Sequence, residues 1–198
     1  MNTGRLEAFS DGVLAIVITV MVLELHAPET DPATWHGFVH ASGLGLLTYV
    51  LSFIYVGIYW SNHHHLFQLV QHVDGTVLWA NLHLLFWLSI VPFTNGWLDE
   101  SKVAEVPTIV YIANLLGAAI AYYVLQLAIF RTPSGDRAKA ALGTDLKGKL
   151  SPVLYVSGIL LSLWDPRAGL VPAVVVAFMW LVPDRRVERY LAAERENS

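Results

Sequence analysis

The sequence predicts an all-α integral membrane protein with six transmembrane helices per subunit. Hydrophobic residues make up 55% of the 198 residues, whereas charged residues make up only 14%. The apolar residues are also gathered into six runs separated by turn or charge signals. A surface with so few charges does not suit water, so the bilayer is the better solvent for this chain.

Charge balance and residue inventory exclude several classes of protein. The chain has 12 Lys and Arg against 16 Asp and Glu, a net charge of -4, which argues against a nucleic-acid partner because such partners attract basic surfaces. It has no cysteine, and so no disulfide, thiolate metal site or cysteine nucleophile. Ser10 and Asp11 interrupt the first apolar run before a signal peptide is complete, so we expect the first helix to be retained.

Each apolar run is judged against the roughly 20 residues that a helix needs to cross about 30 Å of hydrocarbon. The first four runs are convincing spans, while the last two are short and flanked or interrupted by prolines, so we expect those two to be tilted or peripheral. The predicted spans are 9–25, 41–60, 77–93, 106–130, 150–164 and 168–182. Because no loop is long enough to bury a core of its own, residues 1–198 are predicted to form one transmembrane domain.

The positions of the basic residues predict the orientation of the chain. With six spans, all Lys and Arg except Lys102 and Arg167 fall on one side of the membrane. That side holds Arg5, the loop between the fourth and fifth spans, and the tail with Arg185, Arg186, Arg189 and Arg195. Since Lys and Arg are retained on the cytoplasmic side, both termini are predicted to be cytoplasmic. Removing any one span would scramble this asymmetry.

The first helix, RLEAFSDGVLAIVITVMVLEL, carries polar and ionisable residues in or beside hydrocarbon. An ionisable group there costs several kcal/mol unless it is paired or hydrated, so Asp11 needs a partner. Two interpretations are open at this point. Either Ser10 or Asp11 caps the helix at the interface, with Arg5 meeting lipid phosphate, or the helix faces a polar cavity or the other helices of a bundle.

An apolar stripe runs along the first helix when residues are placed at 100° steps. The stripe consists of Gly12, Ile16, Thr19, Val20 and Leu23. Asp11 projects about 140° away from Ile16, so it would point back into the protein if the stripe lined a narrow path. Such a stripe is also typical of ordinary helix packing, and the spacing alone does not decide between a pore and a packing surface.

Arg5, Phe9, Ser10 and Asp11 spell RxxxFSD ahead of an apolar helix, and this motif resembles the transmembrane protein 175 family of lysosomal and bacterial potassium channels. The stretches HHHLF at 63–67 and NLHLLFWLSIVPFT at 81–94 are similar to that family as well. The resemblance covers the first half of the chain, and the second half matches in hydropathy only. The TVGYG filter of ordinary potassium channels is absent here, as it is from the family.

The resemblance implies a potassium-permeable cation channel that is not an enzyme and needs no cofactor besides permeant K⁺ ions. It implies that the first helix of each subunit lines the pore, constricted by Ile16 with Thr19, Val20 and Leu23 further along. It also implies a polar network that ties the first helix to the second and third. The predicted members of that network are Arg5, Phe9, Ser10, Asp11, Trp60 and His83.

The number of repeats predicts the assembly. Human-type members of the family carry two six-span repeats per chain, whereas this chain has room for one, so the resemblance implies a homotetramer that conducts monovalent cations. A chain with one repeat is expected in a prokaryotic plasma membrane. Small residues at 43, 45 and 117–119 would permit the close approach of helices in this assembly.

The eight histidines raise the alternative of a metal enzyme. The predicted topology places His26, His36 and His40 on the outer side and the triplet 63–65 on the inner side, so they do not converge on one site. HExxH and paired HxxHH boxes are absent. We therefore expect no metal, and the triplet is interpreted as imidazoles in contact with water and headgroups at the interface.

His83 differs from the other histidines because it lies about two turns into the third predicted span. It is either a neutral core histidine with a hydroxyl or carbonyl partner, or a partner of Asp11 or Arg5 across a helix interface. The second arrangement would satisfy groups that otherwise carry a large desolvation cost.

Two further function classes compete with the channel. A small secondary transporter of ions or small solutes is the main alternative, but such proteins tend to show inverted repeats, and the two halves of this chain do not look alike. A non-conducting scaffold would leave Asp11 near hydrocarbon unexplained.

Overall fold

The computed structural model describes residues 3–25, 34–70, 72–142 and 145–181, which form seven α-helices and no β-strand. The helices are α1 (Thr3–Leu23), α2 (Trp35–Gln68), α3 (Gly75–Glu100), α4 (Glu105–Phe130), α5 (Gly135–Leu142), α6 (Leu146–Ser162) and α7 (Pro166–Leu181). His26 and the basic tail with Arg185, Arg186, Arg189 and Arg195 lie outside the described residues.

Each predicted span coincides with a helix, but several helices continue beyond the predicted ends. α2 extends past both ends of the predicted span 41–60, and α3 continues to Glu100. Hydropathy detects only the part of a helix that suits hydrocarbon, whereas the backbone remains helical into the headgroup region. Side-chain caps then mark the true N-termini of two helices: Thr34 accepts a hydrogen bond from the amide of Gly37, and Asp74 caps α3 in the same way.

Four of the helices, α1 to α4, are long and apolar enough to cross a bilayer. α6 and α7 have 17 and 16 residues, and at 1.5 Å per residue they measure about 25 Å, less than the hydrocarbon thickness. The total of six spans therefore stays a prediction. α5 is an additional element, because the sequence predicted only a loop between the fourth and fifth spans.

The centre of the fold is an antiparallel hairpin of α3 and α4. α1 and α2 pack against α3, α6 and α7 pack against α4, and α7 also contacts α2. The turn of the hairpin places Lys102 and Val103 at φ angles of 54° and 63°, in the left-handed region that side chains with a Cβ rarely occupy. The backbone amide of Val103 donates to the carbonyl of Leu98 and closes this turn.

Small residues bring helices together within one chain. A Cβ atom at Gly117 of α4 would lie 2.5 Å from the Trp87 ring of α3, and one at Gly45 would overlap the Asp99 carboxylate. The α6–α7 crossing depends on Gly158 in the same way, because its Cβ would lie 2.8 Å from the carbonyl oxygen of Gly169. The sequence assigned Gly45 and Gly117 to contacts between copies, and the structure corrects this: both positions are occupied by intrachain packing.

Candidate pore helix and its anchoring network

The first helix, α1, has a buried face that packs against α2 and α3. Its buried residues recur at intervals of three or four, which is the spacing of one face of an α-helix. They are Thr3, Leu6, Ser10, Leu14, Val17 and Met21. The side of the helix that bears Ile16 is therefore turned away from the rest of the chain.

The stripe predicted to line a pore lies on this outward face. Ile16 is 62% exposed, Val20 38% and Leu23 77%, and Gly12 and Thr19 are exposed as well. The hydroxyl of Thr19 donates a hydrogen bond to the backbone carbonyl of Ile16 at 2.9 Å, so the hydroxyl proton is bonded within α1 itself. The described part of the chain thus leaves the whole stripe exposed.

A groove of about 690 Å³ between α1 and α3 continues the outward face of the stripe. Ile16 and Val20 form its α1 wall, and Phe93 is part of its α3 wall. The carboxylates of Glu24 and Glu100 lie at the end of the groove near the C-termini of the two helices. The stripe and the groove together make one apolar surface with acidic groups at one end.

Asp11 is anchored at the edge between α1 and α2. The indole nitrogen Nε1 of Trp60 donates to the Asp11 carboxylate at 3.0 Å. The sequence placed Asp11 inside the protein, whereas the structure leaves it exposed and gives the buried position to its neighbour Ser10. Burying a neutral hydroxyl costs far less free energy than burying a carboxylate, which explains why Ser10 is buried and Asp11 is exposed.

Ser10 begins a chain of buried hydrogen bonds that joins three helices. Its hydroxyl donates to the carbonyl of Leu6 at 2.9 Å and accepts from Nδ2 of Asn81 on α3 at 3.0 Å. The other end of the Asn81 amide, Oδ1, lies 2.8 Å from Nε2 of His63 on α2. Because Oδ1 only accepts, the proton of the His63 ring is on Nε2. Ser10, Asn81 and His63 are each at most 2% exposed.

The structure corrects the interpretation of the histidine triplet. His63 was expected at the interface but is buried in the bundle. Its neighbours turn elsewhere: Nδ1 of His64 lies 3.6 Å from the Glu7 carboxylate on the exposed side, and His65 lines a groove beside α7. Sequence reasoning missed His63 and Asn81 as network members. The available signal was Asn81 itself, because an amide inside a span requires a partner.

Three predicted network residues lie apart from this chain of hydrogen bonds. His83 is exposed and accepts a hydrogen bond from Nε1 of Trp87 on its own helix at 3.0 Å, so it pairs with neither Asp11 nor Arg5. Two residues along an α-helix turn through about 200°, which places His83 on the opposite side of α3 from Asn81. Arg5 and Phe9 are exposed, and Arg5 has no hydrogen bond or ion pair within the described part of the chain.

The bond between Trp60 and Asp11 predicts a moderate effect on assembly. Trp60→Phe keeps an aromatic ring but removes the donor, and we expect a loss of about 1 kcal/mol in stability and a lower yield of assembled protein. Asp11→Ala removes the acceptor and should likewise reduce yield before it alters ion preference. The measurement is the fraction of protein that survives heating in detergent on a size-exclusion column.

Trp79→Phe is the matched control for this measurement, because Trp79 is also exposed and near a helix end but makes no hydrogen bond within the described residues. Equal losses in Trp60→Phe and Trp79→Phe would remove the anchoring role of the Asp11 contact. An Asp11→Ala protein that assembled normally and changed only its ion preference would place Asp11 in the pore.

The fold and the site define a class of protein: a helical integral membrane protein whose first helix is held by buried polar groups and exposes an apolar stripe. The protein family described as "Endosomal/lysosomal potassium channel TMEM175" matches this chain over residues 5–92. A protein named as a potassium channel from Chryseobacterium sp. is 47% identical over 192 residues, which cover 96% of this chain and 98% of that protein. The chain belongs to the TMEM175 family, which confirms the prediction from the RxxxFSD motif.

Further relatives extend the similarity to the second half of the chain. A protein named as a potassium channel from Streptomyces collinus is 35% identical over 165 residues, 78% of this chain and 79% of that protein. The crystal structure of a lysosomal potassium-selective channel TMEM175 homolog from Chamaesiphon minutus matches with a TM-score of 0.72 and 32% identity. It covers 90% of this chain and 95% of that chain, so the shared fold is not limited to the first three helices.

Proposed function

We propose that this chain is one subunit of a potassium-permeable cation channel whose pore is lined by the α1 helices of four copies. The names of the bacterial relatives support potassium as the permeant ion. The observation that carries the proposal is the uncovered stripe of α1, since the rest of the chain buries only the opposite face of that helix.

The exposed surface of α1 is not suited to lipid along its whole length. Asp11 lies eight residues beyond the first residue of a 21-residue helix, and its carboxylate is exposed in the single chain. A charge in that position needs water or protein around it rather than hydrocarbon. Other copies of the chain, with a hydrated path between them, satisfy this requirement and cover the Ile16 stripe at the same time.

A constriction at Ile16 has consequences for selectivity. Ile16, Val20 and Leu23 present alkyl groups to the proposed axis, and no TVGYG carbonyl filter exists in the sequence. Alkyl groups cannot replace the hydration shell of an ion, so selection depends on pore radius and on the cost of dehydration. A ring of this kind also closes by dewetting.

The proposed channel has six spans, with both termini on the cytoplasmic side of a prokaryotic plasma membrane. The support is the placement of basic residues: the segment between α4 and α6 carries Arg131, Arg137 and Lys139, while the opposite ends of the helices carry Lys102 and Arg167. Retention of Lys and Arg in the cytoplasm orients the chain in this way.

We predict a tetramer, because one α1 helix cannot enclose a water path and four can surround one. Native mass spectrometry in a mild detergent should give a mass of four chains of 21.9 kDa each. Cross-linking within membranes, before any detergent is added, serves as the control for dissociation. Only monomers in both measurements would contradict the prediction.

Bilayer recording of the purified protein tests the function itself. With K⁺ on one side and Na⁺ on the other, a potassium-permeable channel passes a steady current with a reversal potential displaced toward the potassium equilibrium. A secondary transporter passes ions far more slowly, and a scaffold passes none. Transporters typically contain broken helices near the middle of the membrane, whereas α3 is one continuous helix of 26 residues that runs through Pro92.

A further inference from the structure

A second groove, of about 290 Å³, lies between α2 and α7. Residues of α2 from Phe53 to His65 form one wall, and Trp180 and Leu181 of α7 form part of the other. α1 packs against α2 and α3, whereas α7 packs against α2, α4 and α6. The groove is therefore on a different flank of α2 from the helix that we assign to the pore.

The polarity of the groove changes along its length. Phe53, Ile54 and Ile58 line the end nearer the middle of α2, and Ser61, Asn62 and His65 line the end nearer its C-terminus. An apolar groove that ends in hydrogen-bonding groups near the C-terminus of α2 has the same order of chemistry as a phospholipid, with acyl chain first and headgroup last.

A cation lies over the ring of Trp180, one of the residues that line this groove. Nζ of Lys147 is 5.9 Å from the centre of the Trp180 ring, a distance at which an ammonium is attracted to an aromatic face. The indole of Trp180 is held in turn by a 2.9 Å hydrogen bond from Nε1 to the hydroxyl of Ser151 on α6. The positive charge of Lys147 complements an anionic headgroup.

Gly57 keeps the floor of the groove open. No atom lies within 4 Å of the position that a Cβ would occupy at this residue. Glycine inside a helix is destabilising relative to alanine, and a small residue of this kind is normally covered by a neighbouring helix. No helix within the described residues covers Gly57, so the groove is open at this position.

We propose that the α2–α7 groove binds one anionic phospholipid from the leaflet that faces α5 and the start of α6. Its acyl chain lies along Phe53, Ile54 and Ile58, over Gly57, and its phosphate lies near Lys147. A second copy of the chain is the competing occupant. The polar end of the groove and the ammonium over Trp180 favour the lipid. This site is independent of the pore proposed above.

Native mass spectrometry of the full-length protein tests the site. The protein is equilibrated with equal amounts of phosphatidylglycerol and phosphatidylcholine that have identical acyl chains. We expect each chain to retain one phosphatidylglycerol with about tenfold preference over phosphatidylcholine. This preference corresponds to a difference in binding free energy of about 1.4 kcal/mol. Gly57→Leu should abolish this retention by filling the groove, and Lys147→Gln should abolish the headgroup preference while some lipid still binds.

Two matched variants complete the experiment. Gly75→Leu also adds a side chain where no atom lies within 4 Å, but at the start of α3 and outside the groove, so it should retain lipid normally. Lys149→Gln removes a neighbouring charge and should keep the preference. Undiminished phosphatidylglycerol in Gly57→Leu, or an unchanged preference in Lys147→Gln, would overturn the proposal. A Gly57→Leu protein that loses its assembly but keeps the lipid would assign the groove to a second copy.

Discussion

Ile16→Asn is expected to raise the conductance of the channel and to shift the reversal potential between K⁺ and Na⁺ toward zero. Ile16 is the most exposed large apolar residue near the middle of α1, and four copies would close the proposed path with alkyl groups. Four amide dipoles in their place make wetting easier and supply oxygen to a partly dehydrated ion of either kind. A roughly tenfold rise in conductance corresponds to a barrier lower by about 1.4 kcal/mol.

The measurement is a bi-ionic recording of wild-type and variant channels in the same bilayer. Leu23→Asn, about two turns further along, should act in the same direction but less strongly. Val22→Asn is the control, since Val22 is also exposed but lies about 120° from Ile16 around the helix, and it should leave the reversal potential unchanged. The effect of Ile16→Asn should persist in an Asp11→Ala background. Unchanged conductance and reversal potential in Ile16→Asn would place the constriction elsewhere.

The class of fold and the positions of the four long helices were predictable from the sequence. The free energy of transferring a helix into hydrocarbon is nearly the sum of the contributions of its residues. A run of apolar residues therefore indicates a span even when the packing of the other helices is unknown. The ends of α2 and α3 were not predictable in the same way, because a cap such as Thr34 or Asp74 acts beyond the hydrocarbon. α5 has only eight residues, three of them charged, and hydropathy does not detect such a helix.

The division of α1 into two faces was also predictable, because a 3.6-residue period separates the Ile16 stripe from the face that bears Ser10. Its partners on the other helices were not. Whether α3 presents Asn81 or His83 to α1 depends on the rotation of α3 about its axis, which packing against α4 and α2 determines. The sequence predicted both Ser10 and Asp11 as anchors, whereas burial favours the neutral Ser10 over Asp11.

Asn81→Leu is expected to destabilise the chain more than any other single change in the anchoring network. Asn81 is the only described residue that bonds to both Ser10 and His63. Leucine has the same branched shape as asparagine but no polar atoms, so the buried Nε2–H of His63 would lose its acceptor, at a cost of about 1–3 kcal/mol. Hydrogen bonds between membrane helices average about 0.6 kcal/mol, so most of the effect comes from the unpaired group rather than from the lost bond.

Thermal unfolding in detergent measures this effect, and a fall of several degrees in the melting temperature is expected. His83→Leu is the matched control, because it replaces a polar residue of the same helix that bonds only within α3 and should change the melting temperature less. The double variant Asn81→Leu with His63→Leu removes both partners and leaves no buried N–H unpaired. It should be more stable than Asn81→Leu alone, because an unpaired buried group costs more than two apolar replacements. If the double variant is less stable than the single one by the full cost of a second core substitution, the hydrogen bond between His63 and Asn81 is not what stabilises the packing of α2 against α3.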